Sequence, residues 1–151
     1  MKLAEALTLR ADTQKRIEQV KARMLRNARV QEGERPAEDP NVLLSEYDTL
    51  SAELVQLIRR INVTNAAASV AGLSMTEALA TREVLKHRHA AHRDLAEAAS
   101  APQFAVTRSE IRVKAAVSVR DIQSRADQIA RDLRELDARI QEANWQLELH
   151  D

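Results

Sequence analysis

The chain has 151 residues, of which 44% are hydrophobic and 30% charged, and its 23 basic and 23 acidic side chains leave no formal net charge. Two glycines, three prolines and 2% aromatic residues argue against sandwiches, barrels and disordered chains, and favour a helical protein. The absence of cysteine excludes disulfides, thiolate catalysis and cysteine metal sites. The balanced charge gives little general attraction for nucleic acid, so we expect no nucleic-acid partner.

The first residues already belong to an amphipathic pattern. Glu5 and Arg10 lie inside the window where a signal peptide would need an apolar run. No stretch approaches the roughly 18 apolar residues that a membrane span requires. We therefore expect no membrane span and a cytoplasmic location.

The first two predicted helices carry opposite charge. The helix predicted over 2–29 contains eight basic and three acidic residues. Asp39 and Pro40 then supply the N-cap and first-turn proline of a second helix, predicted over 40–69. Residues 30–69 hold three basic and seven acidic side chains. Because the two halves are complementary in charge, we expect them to form an antiparallel hairpin.

Two helices show an unbroken seam, meaning a stripe of mainly apolar residues in which steps of four and three predominate. The seam of the second helix consists of Leu43, Tyr47, Leu50, Leu54, Leu57, Ile61, Thr64 and Ala68. The seam of the last helix, predicted over 119–149, consists of Ile122, Ala126, Ile129, Leu133, Leu136, Ile140, Ala143 and Leu147. Such stripes must pack on each other or on copies of themselves. We therefore expect a homo-oligomer.

Two further segments complete the predicted architecture. A third helix is predicted over 75–100, where Ser74 and Glu77 have the spacing of a capping box. Alternating apolar residues within 104–117 suit a short strand or extended arm. The sequence thus predicts an all-α protein with one domain over 1–151. Its long antiparallel helices would form a coiled-coil-like hairpin or four-helix bundle with one extended arm.

Motifs for catalysis and cofactor binding are absent from the sequence. Glycine occurs only at positions 33 and 72, which excludes phosphate-binding loops and dinucleotide fingerprints. The Glu-x-x-His pairs of di-iron bundles are also missing. We therefore predict no cofactor and no enzymatic activity.

Three histidines lie close together on the third predicted helix. His89 and His92 share a face and could hold a metal from one helix, whereas His87 lies well round the cylinder. No nearby carboxylate has clear ligand spacing. We expect partly exposed or interface histidines here, with His89 and His92 as weak metal candidates.

Polar side chains occupy several positions where the helical pattern calls for apolar ones. The main candidates are Arg10, Asn62, Asn65, Glu77, Arg82 and Asn144. If they meet inside the bundle, their charges must be paired, so they would form either a lock that fixes helix register or a small-ligand pocket. We favour the lock, because no nucleophile stands beside a base. Trp145, the only tryptophan, is expected to be buried in the core or an interface.

Several ordered segments resemble the septicolysin-like bacterial proteins. They are EALTLRAD at 5–12, NARVQEGE at 27–34, LIRRINVTN at 57–65, TEAL at 76–79, and the stretch from ELD to NW at 135–145. The resemblance covers nearly the whole chain. It implies a small helical protein and transfers no functional residues, although the family's name suggests a cytolysin.

These observations give three hypotheses for function. We expect a self-associating helical scaffold or protein-interaction module. A cytolysin or pore-forming protein is the alternative that the resemblance implies. A small-ligand-binding protein or enzyme is the third.

Overall fold

The computed structural model describes residues 1–100 and 112–151, and it confirms the all-α prediction. Its helices are α1 (Leu3–Arg26), α2 (Pro40–Ala67), α3 (Met75–Ser100) and α4 (Val119–Gln146). Two short strands, β1 (Ser69–Val70) and β2 (Leu73–Ser74), pair antiparallel between α2 and α3.

The described residues divide into two compact units. The first consists of Met1–Ala68 together with Gln141–Asp151, and the second of Ser69–Ile140. The first unit therefore holds α1, α2 and the end of α4, while the second holds the β-hairpin, α3 and most of α4. One domain over 1–151 stays a prediction.

The first unit is built on an antiparallel hairpin of α1 and α2. Its core cluster joins Ile17 and Val20 of α1 to Leu43 and Leu50 of α2, all of them buried. All eight seam residues predicted on α2 are buried or half-buried. The hairpin forms because each helix covers the apolar stripe of the other, which would otherwise face water.

The loop between α1 and α2 begins earlier than predicted, because α1 ends at Arg26 rather than at residue 29. The Asn27 side chain donates to the Arg23 carbonyl oxygen (2.9 Å) and accepts from the Glu38 backbone N–H (3.1 Å). An asparagine that bonds to nearby backbone in this way offers the chain an alternative to further helix. At the other end of the loop, Asp39 accepts from the Asn41 N–H (2.8 Å) and caps α2.

The last helix also ends earlier than predicted, at Gln146 instead of residue 149. The Leu3 N–H donates to the Leu147 carbonyl oxygen, and the Leu149 N–H donates to the Met1 carbonyl oxygen, both at 2.9 Å. Lys2 and Glu148 form an antiparallel β-bridge at this point. Residues 147–149 therefore pair with residues 1–3 instead of continuing the helix.

The second unit is built on α3 and α4. The two helices run antiparallel, since Arg82 near the start of α3 pairs with Asp137 near the end of α4, while Ala96 and Ala126 line a groove at the opposite end. Ser118 caps α4 by accepting from the backbone N–H of residue 121 (3.3 Å).

The predicted arm over 104–117 falls mostly outside the described residues. Residues 112–117 are described, and they are neither helical nor part of a strand. An extended segment can alternate apolar and polar residues without pairing, so the alternation there does not specify a strand.

The β-hairpin is a feature that the sequence analysis missed. Ala71 and Gly72, the two residues of its turn, both have positive φ, at 54° and 82°. This is the pattern of a type I′ turn, which suits the twist of a two-residue hairpin. Alanine is an unfavourable residue at positive φ, because its Cβ approaches the following carbonyl oxygen.

We predict that Ala71→Gly stabilises the protein by about 0.5–1 kcal/mol, because glycine adopts positive φ without steric cost. Thermal or urea unfolding would measure the gain. Ala80→Gly, at an exposed position inside α3, is the matched control and should destabilise by about 1 kcal/mol. A loss of stability in Ala71→Gly would contradict the prediction.

Candidate functional site

One of the six predicted polar residues, Glu77, belongs to the capping box at the start of α3. The Ser74 N–H and hydroxyl both donate to a Glu77 carboxylate oxygen (2.9 and 2.8 Å), and the Glu77 N–H donates to the Ser74 hydroxyl (3.2 Å). The backbone bond, followed by the side-chain bond, holds the pKa of Glu77 below its usual range. Glu77 therefore acts at a helix end, in the role that its spacing from Ser74 predicts.

Arg82 is a second of these residues, and it pairs with a side chain that the sequence analysis did not name. Its Nη1 donates to Asp137 Oδ1 at 2.9 Å, and the two side chains are 24% and 46% exposed. Among residues 1–100 and 112–151, the buried Arg82 Nε has no hydrogen-bond partner. Asp137 directly follows the seam residue Leu136 in the chain, so its position beside the α4 seam was the available signal.

The other four predicted polar residues lie in the first unit. Asn144 is buried, Arg10 and Asn65 are half-buried, and Asn62 is exposed. Among the described residues, no hydrogen bond or ion pair joins any two of the six. Whether the six residues act as a lock or a pocket stays a prediction. The bond from Arg82 to Asp137 is the contact of this cluster that joins two helices.

We predict that Arg82→Ala lowers the free energy of unfolding by about 1 kcal/mol. Because Asp137 keeps access to water, the loss should resemble that of a partly exposed pair rather than the 3–5 kcal/mol of a fully buried one. Chemical denaturation would measure it, with Arg88→Ala at an exposed position of α3 as the control. Unchanged stability and unchanged assembly in Arg82→Ala would count against the lock.

The α3 histidines have separate surroundings. His87 is exposed and its Nε2 lies 3.3 Å from Glu83 Oε1, whereas the Nδ1 of His92 lies 2.7 Å from the Arg88 carbonyl oxygen. His89 lines a groove of about 390 Å³ between α3 and α4, together with charged residues that include Arg93. The described residues contain no group of three or more side chains placed to hold a metal ion. The metal role of His89 and His92 stays a prediction.

The basic face of α1 meets acidic side chains from the loop and from α2, as the charge pattern predicts. Arg23 binds Glu38 through both Nε and Nη2, and Arg16 lies 4.0 Å from Glu46. The hydrogen bond from Arg23 lowers the pKa of Glu38, and the same bond raises the pKa of Arg23. Part of the basic charge of α1 is thus paired with acidic side chains of the hairpin.

We predict that this pair contributes stability that is lost in acid. Because the folded pKa of Glu38 is depressed, its contribution is complete above the ordinary glutamate pKa, about 4.3, and disappears as the pH falls through the lower folded value. Urea unfolding between pH 7 and 3 would measure the slope. Glu38→Gln should flatten it, whereas Glu53→Gln, at an exposed position of α2, should not. Equal slopes in all three proteins would contradict this assignment.

The side of α2 opposite its seam carries exposed apolar residues. Leu44, Val55 and Val63 are 46%, 62% and 41% exposed. Together with three other exposed residues between them they form what we call the outer stripe: Leu44, Asp48, Ala52, Val55, Arg59 and Val63. The outer stripe was not predicted from the sequence, although the apolar residues that fall outside the α2 seam were the available signal.

Trp145 lies on the surface of the single chain. The residue is 63% exposed in this chain, so of the two expected alternatives, core or interface, the core is excluded. Burial at an interface stays a prediction for this residue.

Across the described residues, no helix is both long enough and apolar enough to cross a membrane.

Comparison with known proteins assigns the chain to a family. The sequence model of a family of unknown function, DUF6847, matches residues 10–149. The chain belongs to this DUF6847 family. It is also similar to a functionally unknown conserved protein from Corynebacterium diphtheriae, whose crystal structure matches with 38% identity, coverage of 99% of both chains and a TM-score of 0.92. No curated protein matches the chain.

These findings overturn one prediction from the sequence. The resemblance to the septicolysin-like proteins is wrong, because the DUF6847 assignment and the similar crystal structure both point to proteins of unknown function. The segments that carried the resemblance are short, and none of them is specific by itself. The cytolysin hypothesis rested on the name of that family and falls with it. The helical protein of unknown cellular role is the interpretation that these findings support.

Proposed function

We propose that this DUF6847 protein is a helical interaction module that associates with copies of itself. The observation that carries the proposal is that α2 is apolar on two opposite sides. Its seam is buried within the first unit, while Leu44, Val55 and Val63 of the outer stripe face water. A helix with apolar residues on both sides is typical of one that is covered on both sides.

The chemistry of the outer stripe supports a protein partner. Four of its six side chains are leucine, valine or alanine, which offer contact area rather than groups for catalysis. The proposal is therefore for a non-enzymatic scaffold or interaction module. The partner we propose is a second copy, because the outer stripe carries one acidic and one basic residue, Asp48 and Arg59, which the same stripe on a copy can complement. We propose the cytoplasm as its location, which cell fractionation would test.

We predict that the apparent mass of the purified protein rises with concentration from that of the 16.9 kDa chain towards twice that value. The physical reason is mass action on an apolar contact that only the assembled state completes. Size-exclusion chromatography with light scattering would measure it. A constant monomer mass across the whole accessible concentration range would overturn the proposal. The emission of the single tryptophan, recorded over the same series, would test whether Trp145 becomes buried on assembly.

A further inference from the structure

Resting on the proposed self-association, we infer that two copies pair through their α2 helices as an antiparallel two-fold dimer, with Asp48 of each copy facing Arg59 of the other. The inference follows from the spacing and the chemistry of the outer stripe.

The outer stripe is symmetric about its own midpoint. Its six residues are separated by steps of four, four, three, four and four, so the spacing is the same read from either end. At 100° per residue they stay within a sector about 100° wide, and the stripe is about 28 Å long. A two-fold contact uses the same patch on both subunits, so a stripe of this kind can face its own copy in antiparallel orientation.

The two charges of the outer stripe fix the register. Asp48 and Arg59 lie equally far from the midpoint and have opposite signs. Their neighbours Glu46 and Arg60 already pair with Arg16 and with Asp151. In the part of the chain that the structure describes, Asp48 and Arg59 have no such partner. An antiparallel pair centred on the stripe places each of these charges opposite its complement.

Because the outer stripe winds by about 100° over its length, the two helices must cross for their stripes to overlie each other, and the remaining contacts then follow from the register. Leu44 comes opposite Val63 of the second copy at both ends of the contact. Near the centre, where the helices are closest, Ala52 comes opposite Val55, so a small side chain meets a larger one. All four are exposed in the single chain. Apolar residues therefore meet apolar residues at every layer of the stripe outside the ion pair.

Polar side chains flank the outer stripe, and one of the predicted polar residues is among them. Asn62 and Ser45 are both exposed and lie at the two edges of the outer stripe. Both side chains can donate and accept hydrogen bonds. A polar rim around an apolar centre is the usual arrangement of a protein interface.

The size of the contact predicts its strength. One helix pair about 28 Å long buries less than the ~1,000 Å² expected of a stable interface. The dimer should therefore be weak and reversible, with a dissociation constant of about micromolar or higher. Concentration series are the appropriate measurement for such an equilibrium.

Charge reversal tests the register by sedimentation equilibrium of the full chain. Asp48→Arg or Arg59→Asp alone should weaken dimerisation at least about tenfold, because two symmetry-related attractive pairs become repulsive. The double variant Asp48→Arg/Arg59→Asp should restore it. Glu53→Arg, an exposed α2 position outside the stripe, is the matched control and should leave dimerisation unchanged.

Single cysteines test the geometry directly, since the chain contains none. On oxidation, Ala52→Cys mixed with Val55→Cys should form the mixed disulfide, because these positions face each other. Leu44→Cys alone should not link to itself, since its two copies would lie about 28 Å apart along the helices. Efficient self-linking of Leu44→Cys would indicate parallel helices and overturn the inference.

The two levels of the proposal fail differently. A protein that is monomeric at all concentrations overturns the self-association and this register together. A protein that dimerises equally well with Asp48, Arg59 or both reversed overturns the register and leaves the self-association standing. Restoration by the double variant, with loss in each single variant, supports both.

Discussion

Covering the apolar seams of long helices is the constraint on which the rest of this structure depends. With 2% aromatic residues, the chain fills its core with leucine, isoleucine, valine, alanine and methionine. Such side chains contribute roughly 1.5–3 kcal/mol each on full burial, except the smaller alanine. A single layer of them between two helices makes a thin core. Stability therefore depends on long, continuous contact, which the unbroken α2 seam provides.

A thin core makes the helix ends important, because unpaired backbone groups there cost free energy that the core must offset. Several polar contacts of the described residues lie at such points. Asp39 caps α2, Ser74 and Glu77 cap α3, and residues 1–3 pair with residues 147–149. Arg60 of α2 likewise satisfies a backbone group beyond the end of α4, since it donates to the His150 carbonyl oxygen (3.0 Å).

The contrast between the predictable and the unpredictable parts follows from sequence separation. The α2 and α4 seams repeat every three or four residues, so periodicity located them, and none of their residues is exposed. Caps such as Asp39 are equally local. The pairing of Lys2 with Glu148 and of Arg82 with Asp137 joins distant parts of the chain, and no local pattern identifies such partners. The turn at Ala71 was missed because alanine carries no signal for positive φ.

The candidate site was the least predictable feature, for a reason that lies in α2 itself. The periodicity of its seam is sufficient to predict the helix. Leu44, Val55 and Val63 are therefore indistinguishable, in the sequence, from the single apolar residues that are common on protein surfaces. Since these three are exposed, the fold of the single chain does not depend on burying them. Substitutions there would therefore test the proposed assembly while leaving the hairpin intact. Asn144, buried within the first unit, is placed differently, because a change there acts on folding first. This separation between the two sides of one helix makes an assembly role for the outer stripe testable without unfolding the protein.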